Sequence, residues 1–160
     1  MLRWRRPGRV VVPDTNVFLH HPSCFHETDW AQLVGTADAV RIVMPLVIVD
    51  ELDRKKFDGK DAVRTRARTT LRAIDDLVSD PRETTSVSLG SGKAFLFEML
   101  LDPIGHVRLP NADDEIIDRV AAVSQLLDRP PLIVTYDTGA ALRASVAGLP
   151  RLKLSHHSSA

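Results

Sequence analysis

The chain has 160 residues, 44% of them hydrophobic, and its 21 basic residues balance its 21 acidic ones. That length builds a single domain with a real core, and the charge balance excludes a bulk polycation or polyanion as the basis of partner choice. One cysteine, Cys24, excludes an internal disulfide and fits a reducing compartment. No apolar run is long enough to cross a bilayer. The apolar stretch after the basic residues 1–6 is too short for a signal peptide, so a cytoplasmic location is expected.

In chain order, strands are expected at 9–12, 40–44, 86–89, 107–109, 132–135 and 152–154. Pro45 suits a first helical position, and Leu46, Val49 and Leu52 would share the inner face of the helix that follows. A long periodic helix over 62–78 turns Ala67, Leu71, Ile74 and Leu77 or Val78 inward. The helix over 113–127 buries Ile116, Ile117, Val120, Val123 and Leu127 and stops before Pro130-Pro131. A last helix, 138–147, closes at Gly148. Gly90-Ser91-Gly92 and Gly105 mark turns, and 93–101 reads as strand or helix. Strands alternating with helices imply an α/β fold with a parallel sheet covered on both faces. With no repeat and no linker, residues 1–154 form one domain, and the polar residues 155–160 are expected to be a disordered tail.

The run Val10-Val11-Val12-Pro13 ends in Asp14-Thr15-Asn16. A buried parallel strand would deliver this polar trio at its carboxyl end, where open α/β sheets bind ligands. Three more acidic positions fall at comparable points. Glu51 lies two turns into the helix after the second strand, Asp113 and Asp114 open the third long helix, and Asp137 follows 132–135. If the strands are parallel and adjacent, these acids converge on one rim. Like charges packed together resist ionising, and a divalent cation removes the conflict. All-oxygen ligation favours Mg²⁺ or Mn²⁺ over zinc. Such sites usually serve phosphoryl chemistry, polarising the phosphate and lowering the pKa of an attacking water. Taken singly, each acid also reads as a helix cap or a solvated charge. Asp14 is the most diagnostic, because a buried strand delivers it directly.

Other chemistries fit less well. A haloacid-type phosphatase needs a second acid two residues after its nucleophile, where Asn16 stands. A receiver domain needs a lysine at a late strand end, and none is there. His20, His21, Cys24 and His26 lack a second ligand pair at zinc-finger spacing. Gly90-Ser91-Gly92-Lys93 lacks the glycine of a phosphate loop at Val87 and the hydroxyl at Ala94. Among the cations, Lys55 and Lys56 precede a turn, and Arg64, Arg68 and Arg72 step by four along one helix face. They read as a solvated face or as a phosphate-binding ridge for RNA. Arg3, Arg5, Arg6 and Arg9 suggest a second basic patch. Trp4 and Trp30 read as packing residues, and aromatics are too few to signal extensive base stacking.

Four segments carry a family resemblance. Asp14-Thr15-Asn16-Val17-Phe18-Leu19-His20-His21-Pro22 resembles the opening of a PIN domain, the metal-dependent nuclease family. Met44-Pro45-Leu46-Val47-Ile48-Val49-Asp50-Glu51 resembles its second motif, Asn111-Ala112-Asp113-Asp114-Glu115-Ile116-Ile117 its third, and Val134-Thr135-Tyr136-Asp137 its fourth. The basic helix after the second motif is similar to that of PIN domains fused to PhoH-type ATPases. The resemblance implies a three-layer α/β/α sandwich with a mainly parallel sheet, and Mg²⁺- or Mn²⁺-dependent hydrolysis of RNA to 5′-phosphate and 3′-hydroxyl ends. It implies Asp14, Glu51, Asp113 and Asp137 as catalytic and metal-binding acids, with Asn16 and Thr135 orienting them through hydrogen bonds. Alignment on Ile116 selects Asp113 as the third acid and alignment on Ile117 selects Asp114, so both stand as metal ligands. His21 departs from the family, where an acid often precedes the proline. A toxin with a protein antitoxin partner, a housekeeping RNA-processing enzyme and a non-catalytic RNA-binding module all remain open, as does a homodimer.

Overall fold

β-branched runs and amphipathic segments alternate along the chain, and the elements they form follow that alternation. The computed structural model describes residues 2–156. Its strands and helices are β1 (Arg9–Pro13), α1 (Thr15–His20), α2 (Trp30–Val34), β2 (Val40–Pro45), α3 (Leu46–Lys55), α4 (Asp61–Leu77), β3 (Thr85–Gly90), β4 (Lys93–Leu100), α5 (Ala112–Ser124), β5 (Leu132–Thr135), α6 (Thr138–Val146) and β6 (Arg151–Lys153). The six strands make one sheet in the order β3-β4-β2-β1-β5-β6. All neighbours pair in parallel except β3, which runs antiparallel to β4. This is the expected α/β architecture with a mainly parallel sheet.

The connectivity positions the site. β1 lies between β2 and β5, so the chain leaves it toward one edge and returns on its other side. Open α/β sheets bind ligands in the crevice at such a switch point. Val11, Val12, Ile42, Val43, Met44, Ile133 and Val134 are all but fully buried, as expected of central strands covered on both faces. α3 packs on α4 and α5, α1 on α4, and α5 on α6.

The structure decides the ambiguous segment and corrects several details. Residues 93–100 are strand, not helix, because β4 closes a hairpin with β3 through Ser91-Gly92. Ser91 and Gly92 have φ of 53° and 76°, the left-handed pair that a tight hairpin turn requires. The apparent phosphate loop is therefore this turn. Residues 107–109 are not a strand, since Pro103, Gly105 and Pro110 interrupt the segment and Arg108 ties it to Asp102 and Asp50. On α3 the buried residues are Val47, Ile48 and Leu52, with Leu46 and Val49 only half-buried. On α4 they are Ala67, Thr70, Ala73 and Ile74, and Leu71 is half-buried. α5 ends at Ser124, short of Leu127. Of the tail, Ser155 and His156 follow β6 without regular structure, and residues 157–160 lie outside the described residues.

Among the described residues, one ion pair is wholly internal. Arg41 of β2 donates to both oxygens of Glu98 on β4, at 3.2 and 3.0 Å, and both side chains are 0% exposed. Arg41 also donates to the Arg6 carbonyl, and the Thr84 hydroxyl donates to Glu98. Arg5, Arg6 and Arg9 thus lie at the amino ends of the strands. Arg9 opens β1 and donates to the Pro130 carbonyl at 2.6 Å. Any second basic patch is at the opposite end of the sheet from Asp14.

Candidate active site

Asp14 is the residue at which β1 becomes α1, and it is 4% exposed. Its Oδ1 caps the helix by accepting the Val17 N–H at 3.1 Å, and its Oδ2 accepts the Thr135 hydroxyl. Thr135 is itself fixed, because its oxygen accepts the Asp137 N–H at 2.9 Å. One hydroxyl therefore ties the ends of β1 and β5 together and orients Asp14, the role the family resemblance implies for Thr135. Burial pushes the Asp14 carboxyl up to about 6, against the hydrogen bonds from Thr135 and Val17; the nearby carboxyls of Asp113 and Asp137 push it further in the same direction.

Asp137 caps α6, its two oxygens accepting the N–H groups of Gly139 at 3.2 Å and Ala140 at 3.4 Å. The simple capping reading thus holds in part for Asp14 and Asp137. It does not hold for the third position. Asn111 caps α5 by accepting the Asp114 N–H at 3.1 Å, which leaves both following carboxylates free of that duty. Asp113 is half-buried and its carboxyl is raised by burial and by Asp137 and Asp114, while Arg143 pulls it down. Asp114 is exposed.

Glu51 joins from α3 by a different route. The Thr15 hydroxyl, buried beside Asp14, donates to Glu51 Oε1 at 2.6 Å. Thr15 thus does for Glu51 what Thr135 does for Asp14. Asn16, the residue expected to help orient the acids, is exposed, and among the described residues no hydrogen bond reaches its side chain. Thr15 belonged to the same motif, but its neighbour's amide was the louder signal.

A second residue missed from the sequence is Arg143. It sits on α6 with Nη1 3.7 Å from Asp113 and Nε 3.3 Å from Asp114. It folds back over the first turn of its helix, where Gly139 leaves room: a Cβ there would stand 3.4 Å from its Nη1. An i, i+4 glycine-to-arginine spacing is the only trace of this in the sequence.

Asp14, Asp113 and Asp137 therefore face one another, and Glu51 is linked to them through Thr15. The approach is loose. Among the described residues, no three of the predicted acids have ligand atoms all within 4.8 Å of one another. The one group that does is Asp102, His106 and Glu115. There, buried Glu115 holds the segment between β4 and α5 by binding His106 Nε2 and accepting the Leu109 N–H.

The predicted cations divide. Lys56 pairs with Asp53 at 3.0 Å and Arg64 pairs with Asp61. Lys55, Arg68 and Arg72 are exposed, and among the described residues no ion pair engages them. Arg66 reaches the carbonyls of His21 and Pro22 at 2.6 and 3.3 Å, which fastens α4 to the end of α1. Among the described residues, no helix is long and apolar enough to cross a membrane.

Comparisons with known proteins agree with this fold. The family model for the PIN domain matches residues 11–154. Among solved structures, a domain of a functionally unknown protein from Methanocaldococcus jannaschii DSM 2661 is similar in fold, with a TM-score of 0.54 and 12% identity over 95% of each chain. No curated protein matches. The family match spans nearly all of the chain and includes every acid of the rim. The chain belongs to the PIN domain family, whose members are generally metal-dependent nucleases.

Proposed function

We propose that this protein is a ribonuclease that hydrolyses RNA phosphodiester bonds at the rim formed by Asp14, Glu51, Asp113 and Asp137, with Mg²⁺ or Mn²⁺ as cofactor. The observation that carries the reading is Asp14: a buried carboxyl at a central strand end that faces two other acids, with only neutral donors bound to it. Such a group is costly unless something positive joins it.

The residues present fit a hard divalent ion. Every donor is a carboxylate oxygen, and like-charge repulsion marks a place where a cation is favoured. The loose spacing also suits Mg²⁺, which keeps several waters and uses few protein ligands alongside substrate phosphate. When bound, such an ion supplies Lewis-acid polarisation of the phosphoryl group and activation of water. Asp14, Asp137 and Asp113 would hold it, and Asp113 is favoured over Asp114 because it is less exposed and faces the other two. The Thr135 and Thr15 hydroxyls hold Asp14 and Glu51 in fixed orientations before substrate arrives. Glu51 Oε2 has no protein partner among the described residues, which leaves that oxygen to accept a proton. Arg143 offsets Asp113 and Asp114 and, being exposed, can turn to a substrate phosphate. Lys55, Arg68 and Arg72 supply unpaired positive charge for the RNA backbone.

The test is direct. Single-stranded RNA incubated with the protein and Mn²⁺ should yield fragments with 5′-phosphate and 3′-hydroxyl ends, and chelation of the metal should stop it. RNA left intact in both Mg²⁺ and Mn²⁺, or undiminished cleavage by Asp14→Asn, would defeat the assignment.

A further inference from the structure

Tyr136, the chain's one tyrosine, stands between Thr135 and Asp137 of the acid rim. Its ring lines a cavity of about 220 Å³ together with His20, His21, Leu33, Leu154 and His156. The back of this cavity is fixed. His21 Nδ1 meets the Tyr136 hydroxyl at 2.8 Å, and the His21 ring stacks on the buried Trp30 with centroids 6.3 Å apart.

The front is covered differently. The His156 ring lies flat on Tyr136, with centroids 4.4 Å apart and planes 14° from parallel. His156 is exposed and lies two residues beyond Leu154, whose N–H donates to the Thr135 carbonyl at 2.7 Å. A planar heteroaromatic ring laid on tyrosine is the contact that an unstacked nucleobase makes. Charge is matched as well. Burial first, and then nearby His156, Arg66 and Lys55, lower the pKa of His20, so the cations Arg66 and Lys55 flank the cavity where a sugar–phosphate backbone would pass. The six residues of α1 place the cavity about 9 Å along the helix from Asp14.

We propose that the face of Tyr136 is a nucleobase subsite. An unstacked base of a single-stranded RNA, near the phosphate held at the acid rim, takes the place of His156 on the tyrosine ring. This rests on the ribonuclease reading above and narrows its substrate to strands that can present an unpaired base at that point. A base in a duplex would first have to leave its stack.

The experiment uses Asp14→Asn protein, so that RNA is bound and not turned over, and a pentanucleotide RNA in which one abasic position is walked through the chain. At one position the loss of the base should weaken Kd about tenfold, and at the others no more than about twofold. Adding Tyr136→Leu should remove that positional penalty, and adding Tyr136→Phe should keep it. His156→Ala should leave Kd within about twofold or tighten it. With unsubstituted protein on a longer RNA, one abasic site should suppress cleavage about tenfold at a single bond at a fixed offset. A flat abasic profile alongside RNA binding and cleavage would overturn the subsite alone, as would a penalty that survives Tyr136→Leu or a tenfold weakening by His156→Ala. Protein that neither binds nor cleaves RNA would overturn the subsite and the ribonuclease reading together.

Discussion

Of the carboxylates this molecule buries, Glu98 and Asp14 treat the charge in opposite ways. Glu98 is sealed between strands and answered at once by Arg41, with the Thr84 hydroxyl in support. Asp14 is nearly as buried, yet its bonds come from an amide and a hydroxyl, and its charged neighbours are other acids. The first arrangement is complete within the chain. The second has no positive partner among the described residues. The cost of a buried, uncompensated charge is what separates a structural ion pair from a site.

Substitutions should separate the two sharply. The largest effect expected is from Asp14→Asn, which should take RNA cleavage to background while leaving the fold intact, because asparagine also caps helices. The same change should raise the stability of the metal-free protein at neutral pH, read by urea denaturation in chelator. A loss of stability there would mean that Asp14 is compensated after all. At the other site the sign reverses. Arg41→Met should cost about 3–5 kcal/mol, since Glu98 would be left buried and unpaired, and Arg41→Met with Glu98→Leu should recover most of it. Thermal denaturation checks this, and a single variant as stable as the parent would break the comparison.

pH should draw the same line. The Asp14 carboxyl rises from its ordinary 3.8 to about 6 in the folded chain, so folding favours its protonated form. Its contribution to stability is full below 3.8 and is lost as pH rises through about 6. The metal-free protein should therefore lose on the order of 2 kcal/mol between pH 4 and pH 7.5 from this group. The Asp14 part of that slope should vanish in Asp14→Asn and invert with saturating Mn²⁺, since the ion binds the ionised carboxylate. Denaturant midpoints across that range, with and without metal, are the measurement.

Smaller effects sharpen the picture of the rim. Thr15→Val should lower Mn²⁺ affinity or cleavage by roughly 10–100-fold through loss of the bond that holds Glu51, measured by calorimetry and initial rates. Arg68→Gln with Arg72→Gln should weaken RNA binding evenly across sequences and reduce the dependence of log affinity on log salt by about one per charge removed. A salt slope unchanged in that double variant would return the α4 stripe to a solvated face.

Much of this was legible in the chain. Buried parallel strands are continuous apolar runs, and Val10-Val11-Val12 and Leu132-Ile133-Val134 declare themselves. The acids are visible because Asp14 and Asp137 follow such runs and Asp113 stands in the first turn of a periodic helix, while Glu51 lies two turns into another. What was not legible depended on partners far away in the chain. Residues 93–101 carried a pattern common to strand and helix until β3 paired with them. The first motif pointed to Asn16 as a supporting residue, and only the approach of Glu51 chose its neighbour Thr15. Arg143 has no local signal beyond Gly139, because the carboxylates it meets lie on another helix.

The sequence by itself determined the α/β class, the four acidic positions and the basic helix, since these follow from local periodicity and from residue types at element ends. The tertiary structure alone decided which hydroxyl orients which carboxylate, which cations stay free, and that Tyr136 gathers a cavity lined with imidazoles beside the rim. Those depend on contacts between residues up to 121 positions apart, such as Thr135 and Asp14, and such contacts exist only once the sheet has brought its strand ends together.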